Sequence, residues 1–378
     1  MNEVVTMRLA SFNVENMFER PRVMNKKSWA EGKSGLDDYY QLNRLISKAV
    51  YTPADKARML TIMKRHKGLL GPNKTSSLIR LRDIRGGLFK LPKGKPAEII
   101  ANERKDWIGW FELLTDPIDD VATENTARVF KEINADVIAV VEADNRVALK
   151  KFNEDVIPKI GYQLYGTVML IDGNDERGID VGLMCRTGYE IDHMRSHVED
   201  RVNGNRVFSR DCPEYLVTLP SGLKLLLLVN HFKSKGHGNQ ADNDKRRTAQ
   251  TTRVRQIYNQ RKAEGIQHMA VLGDFNDIPD SATLAPLLAD GELKDFSQHP
   301  SYIDDGRPGS FGNGTKSGKF DYILLSPALF ATVQRGSVMR KGVWGGTNGT
   351  LWEHFDTMKK ATDAASDHAA VWVDLSLS

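Results

Sequence analysis

Short apolar runs recur along this sequence, and each stops at a carboxylate, a carboxamide or an imidazole. VVTMRLASFN (4–13) leads to Asn13 and Glu15, and DVIAVVEAD (136–144) carries Glu142. LKLLLLVN (223–230) runs into Asn230 and His231, and HMAVLG (268–273) into Asp274 and Asn276. FDYILLSP (320–327) starts on Asp321, and HAAVWVDLSL (368–377) starts on His368 behind Asp367. Runs this short and this apolar predict buried strands, with DVGLMCR (180–186) and EYLVTL (214–219) as two more. Ala127, Phe130 and Ile133 fall near one face of a helix predicted over 124–134, and the polar stretch 239–264 contains another. Strands both clustered and separated by helices predict an α/β chain with mixed sheets.

Residues 16–120 interrupt this pattern and are read as a large insertion or subdomain within a single domain spanning 1–378. Between Arg20 and Trp110 there are 21 Lys and Arg against 8 Asp and Glu, a balance of +13, whereas the remainder of the chain carries −9. That asymmetry suggests a polyanion-binding element on an acidic body, although a solvated lysine-rich surface has the same composition. Within the insertion, Thr52-Pro53 with Asp55 predicts a helix start. Segments 78–89 and 107–114 read as a β-ribbon turning at Gly86-Gly87. Trp107, Trp110 and Phe111 can stack on bases, yet their spacing also suits a subdomain core.

Cys185 and Cys212 are the only cysteines, which excludes a disulfide framework and a cysteine-based zinc site. No apolar run approaches the ~18 residues of a membrane-spanning helix, so no membrane insertion is expected. The opening segment lacks a basic leader and a cleavage site, so the expected compartment is the cytoplasm.

Carboxylates and carboxamides without thiolates are hard donors that suit Mg²⁺ or Mn²⁺. The spacing of Asn13 with Glu15, and of Asp274 with Asn276, places each pair on one face of an extended strand. Singly, each fragment has an ordinary reading: Gly-Asp-Phe-Asn as a turn, Glu142 as a cap, His231 and His368 as core histidines. Their joint occurrence at several strand ends argues for a site.

In order and wording the fragments FNVEN, VVEAD, VNHFKSK, LGDFND, FDYIL and SDH, from residue 11 to 368, resemble the endonuclease/exonuclease/phosphatase superfamily, the DNase I and exonuclease III group. The resemblance implies a four-layer α/β/β/α sandwich of two packed mixed sheets, with the site at one edge. It makes Glu142 the principal metal-binding glutamate and sets Asn13 and Glu15 beside metal and phosphate, where the family often has Asp for Glu15. Asp274 and Asn276 match the pair that activates water and contacts phosphate. His231 matches the acid-side histidine, with Asp321 as its carboxylate partner. Asp367 and His368 match the closing pair, with Asp367 grouped among the metal-side residues and His368 next to the scissile phosphate. Tyrosine is common at the His231 position in the exonuclease III branch, which argues against an apurinic-site specialist.

Arg177, Arg210, Lys233 and Lys235 are further candidates for substrate phosphate, each equally readable as a surface ion pair. Arg246 and Arg247, near the start of the 239–264 helix, read as solvated. The leading expectation is a metal-dependent nuclease acting on nucleic acid, with DNA favoured and RNA possible. A phosphodiesterase or phosphatase for a phospholipid, inositol phosphate or small nucleotide is the alternative, since fold does not fix substrate. The secretion signal expected for a lipid-directed enzyme is missing, and GKFDYIL lacks the Trp-Cys-Asp-Arg signature of the inositol-phosphate branch. A catalytically dead binding module should lack a metal or histidine position, and none is missing.

Overall fold

The computed structural model describes residues 5–17, 19–25, 29–117, 121–236 and 238–377; residue 4 of the expected first strand lies outside them. The chain divides into two compact units, Met1–Phe18 with Asp119–Ser378, and Glu19–Ile118.

The larger unit carries twelve strands of two sheets: β1 (Val5–Met17), β2 (Val137–Ala143), β3 (Thr167–Ile171), β4 (Asp180–Cys185), β5 (Glu190–Arg195), β6 (Glu214–Thr218), β7 (Lys224–His231), β8 (Met269–Asp274), β9 (Lys294–Asp295), β10 (Asp321–Leu325), β11 (Val333–Met339) and β12 (Ala370–Leu377). One sheet is ordered β11-β12-β1-β2-β4-β3 and the other β5-β6-β7-β8-β10-β9. Each is antiparallel except for one central parallel pair, β1 with β2 and β7 with β8. These are the mixed sheets that the sequence pattern predicts.

Strand alternation builds the layers. Leu9, Ala139 and Val141 point from the first sheet into a core shared with Leu227, Val229, Leu272 and Ile323 of the second. The opposite parity of the first sheet, Ala10, Phe12, Ile138 and Val140, packs on helix α1 (Val121–Ile133) through Phe130 and Ile133. Leu226, Leu228 and Val271 of the second sheet pack on α2 (Gln240–Ala263) through Val254, Ile257 and Tyr258. Two sheets face to face with a helix on each outer face make the α/β/β/α sandwich. Among the described residues no helix is long and apolar enough to cross a membrane.

The basic unit has its own core of Leu42, Met59, Ile62, Leu81, Trp107 and Phe111. Thr52 caps the helix Pro53–Arg65 in a reciprocal box with Asp55, whose carboxyl is held down to about 2 by Lys48 and Thr52. Ile79–Arg85 pairs with Ile108–Leu113 as a ribbon, but Gly86-Gly87 is not its hairpin turn. A further ladder, Phe89–Lys90 with Glu98–Ile99, intervenes. Trp107 and Phe111 are core, while Trp110 is 45% exposed.

Candidate active site

Both central parallel pairs end at the same edge of the sandwich, where the carboxyl ends of parallel strands offer a crevice. Asn13 lies near the end of β1 and Glu142 near the end of β2. His231 and Asp274 are register partners at the ends of β7 and β8, and Asp321 opens β10 opposite Asp274. His368 precedes β12 and bridges to Phe311. Gly273 makes the close approach of β7 and β8 possible: its φ is +128°, and an added Cβ would stand 2.0 Å from the Asn230 carbonyl oxygen.

Glu15, Glu142 and Asn276 adopt left-handed backbone, with φ of 52°, 70° and 53°. The paired residues therefore do not share a strand face, contrary to the simple spacing argument. Instead the Asn13 Oδ1 accepts from the Glu15 N–H at 3.0 Å, and the Asp274 Oδ1 accepts from the Asn276 N–H at 2.8 Å. The turn reading of Gly-Asp-Phe-Asn and the site reading hold together: the turn aims the side chains. Strained residues of this kind persist where surrounding structure fixes them.

Glu142, His231 and Asp274 converge, with one ligand-type atom from each inside a 4.8 Å span. The His231 Nε2 is 3.6 Å from both the Glu142 Oε1 and the Asp274 Oδ2. The Asn13 Nδ2 donates to the same two oxygens at 3.2 and 3.1 Å. The Asn276 Nδ2 donates to the Asp274 Oδ2 at 3.1 Å. Burial pushes Asp274 up to about 7 even with His368 nearby, and the charges of Asp321 and Glu142 add to the rise. Burial, together with Arg210, His368 and Arg177, pushes His231 well below its usual value, so its imidazole is neutral. Among the described residues no Lys or Arg nitrogen lies within 4.0 Å of Glu142 or Asp274. A neutral imidazole beside carboxylates that no lysine or arginine neutralises fits a small divalent cation.

A second group shares Asp274. The His368 Nδ1 meets the Asp321 Oδ2 at 2.7 Å, and the Ser310 hydroxyl donates to that oxygen at 2.6 Å. Burial alone would lower His368, but Asp321 and Asp274 hold it up at about 10, an imidazolium at neutral pH. Its Nε2 is 3.8 Å from both the Asp274 Oδ2 and the Asp367 Oδ1. Asp321 is thus the partner of His368 and not, as expected, of His231. Glu15 accepts the Asp367 N–H at 2.9 Å, and burial with the neighbouring Asp367 charge raises its carboxyl. Glu15 and Asp367 stand beside the two groups of converging ligand atoms, outside both.

The cations separate. Arg177 forks onto Asp175 at 3.1 and 2.9 Å, and the Arg210 Nε approaches the same carboxylate at 3.0 Å. Lys233 shares a cavity with both. Lys235 is paired with Asp277 and so is turned to a structural ion pair. Arg247, expected to be solvated, is fully buried; it donates to Asp277 at 3.0 Å and to the Lys233 carbonyl at 2.6 Å. Sequence reasoning missed Ser310 and Ser366. The Ser366 hydroxyl donates to the Asn13 carbonyl at 2.7 Å and accepts the His368 N–H at 2.9 Å. Its place just before Asp367-His368 was a usable signal; Ser310 had none.

A family model described as the Endonuclease/Exonuclease/phosphatase family matches residues 97–336. Among solved structures, an endonuclease/exonuclease/phosphatase family protein from Bacteroides thetaiotaomicron superposes with a TM-score of 0.55 at 13% identity, over 100% of this chain and 97% of that one. The mannosyl-6-phosphatase Bt3783 of the same organism gives 0.49 at 17% identity, over 67% and 90%. Truncated TDP2 from Caenorhabditis elegans gives 0.48 at 15% identity, over 68% and 90%. No curated protein matches by sequence.

Proposed function

The chain belongs to the endonuclease/exonuclease/phosphatase family, and from that premise we propose that it is a divalent-metal-dependent nuclease that hydrolyses phosphodiester bonds, with DNA its favoured substrate. The observation that carries this reading is the convergence on Asp274 of the Glu142–His231 group and the Asp321–His368 pair. The +13 balance between Arg20 and Trp110 supports a polyanionic substrate.

Mg²⁺ or Mn²⁺ held by Glu142, with His231 and Asp274 in reach, would neutralise phosphate charge and lower the pKa of the leaving oxygen. Asp274, held in place by Asn13 and Asn276, would take the proton from the attacking water. His368 presents a fixed positive charge to the phosphoryl oxygens, oriented through Nδ1 by Asp321. His231 takes part as a neutral imidazole and not as the proton source. Asn276 serves as a positioning residue, its Nδ2 donating to the Asp274 Oδ2 and to the Phe232 carbonyl.

The test is cleavage of labelled single- and double-stranded DNA and RNA with Mg²⁺, Mn²⁺ or EDTA, alongside Glu142→Ala. Metal-dependent cleavage that falls by at least about 10³ in the variant supports the reading. Turnover that survives Glu142→Ala rejects the metal assignment. A protein inert on every nucleic acid but active on a sugar phosphate, inositol phosphate or phospholipid rejects the substrate.

A further inference from the structure

Next to the catalytic cluster is a cavity of about 540 Å³ lined by Asp175, Arg177, Ser209, Arg210, Lys233 and Arg246, among others. One carbonyl joins the two. The Phe232 oxygen accepts from the Asn276 Nδ2 at 3.2 Å on the catalytic side and from the Arg210 Nη1 at 3.5 Å on the cavity side. Four cations line this space against two carboxylates, Asp175 and Glu176. Asp175 is already engaged twice, by the fork of Arg177 and by the Arg210 Nε. It splints two guanidinium groups of which one, Arg210, is only 3% exposed. Among the described residues Lys233 and Arg246 have no carboxylate within 4.0 Å.

Clustered cations of this kind are stabilised by an anion, and planar arginine forks with a lysine point charge match the oxygens of a phosphate. The volume suits a phosphate with an attached sugar. We propose that this cavity is a second-phosphate subsite, which holds a phosphate group neighbouring the one being hydrolysed. The proposal rests on the phosphoesterase reading above and adds to it a selection for substrates with two phosphates over those with one. The second phosphate comes either from the next linkage of a nucleic-acid strand or from a small bisphosphate.

The experiment uses the full chain, wild type and Lys233→Ala/Arg246→Ala, on two pairs of substrates. One pair is an oligodeoxynucleotide with a charged or a methylphosphonate linkage beside the cleavable one. The other is a hexose bisphosphate against the monophosphate. The wild type is expected to prefer the doubly charged member by about tenfold in kcat/KM, expressed in KM, and the variant to lose that preference. The pair that shows it names the source. An equal preference in both proteins overturns the subsite. If nothing is hydrolysed, the catalytic reading has failed, and calorimetric titration with inorganic phosphate in EDTA still decides. Binding by the wild type that weakens about tenfold in the variant upholds the subsite; equal binding, or none by the wild type, overturns it.

Discussion

Replacing Asp321 by Asn leaves an oxygen for the Ser310 hydroxyl and for the His368 Nδ1–H but removes the charge that keeps the imidazole protonated. A tenfold change in a protonation equilibrium is about 1.4 kcal/mol. Holding His368 at about 10 in place of 6.5 therefore stabilises the fold by at most about 5 kcal/mol, an effect shared with Asp274 and Asp367. A hydrogen bond to a charged group contributes about 1.5–3 kcal/mol, which puts the Asp321 portion at about 2–3 kcal/mol. The sign follows from the raised folded-state value: this stability is fully present below 6.5 and is lost as pH rises through about 10. Urea unfolding followed by tryptophan fluorescence should show Asp321→Asn less stable by about 2–3 kcal/mol near pH 6.5, with the difference vanishing by about pH 10.5. In the same variant kcat should fall by about 10²–10³, the scale of losing one charge-stabilising donor. A stability loss that is the same at both pH values would mean that Asp321 binds a neutral imidazole, and the assignment of His368 as a fixed positive charge would be wrong.

Gly273→Ala forces a Cβ onto the Asn230 carbonyl and should cost at least about 3 kcal/mol, visible as a lowered melting temperature; an unchanged melt would refute the close approach. Arg247→Met removes a buried guanidinium from Asp277 and the Lys233 carbonyl, leaving Lys235 to compensate in part, so thermal unfolding should register a loss of about 3 kcal/mol. Neutralising Arg85, Lys93 and Lys95, exposed cations of the basic unit, should flatten the salt dependence of DNA binding by up to about 0.9 in log–log slope for each phosphate no longer neutralised. A slope indifferent to all three would remove the unit from nucleic-acid binding.

The strands that carry Glu142 and Asp274, and the one that follows His368, were readable because all but a few of their residues are buried, so apolar runs marked them directly. The edge strand β5 was not: it is Glu-Ile-Asp-His-Met-Arg, largely exposed, with no apolar alternation to give it away. Side-chain period assigned Asn13 with Glu15, and Asp274 with Asn276, to common faces, but left-handed φ at Glu15 and Asn276 broke the period at the site itself. The pairing of Asp321 with His368, and not His231, depends on how β10 sits beside the approach to β12, which no local pattern encodes. Arg247 read as solvated because it belongs to a polar helix; burial came from Asp277, thirty positions later in the chain.

The Ser366 hydroxyl on the Asn13 carbonyl, and the Asp367 N–H on Glu15, tie β1 to the approach to β12. Synthesis order gives that seam a meaning. Asn13 and Glu15 leave the ribosome long before the imidazolium that completes their centre, which is residue 368. A growing chain can fold much of the second sheet before then, but it has no His368 and no β12 to flank β1. The cluster around Asp274 is therefore complete only once that late segment has been made.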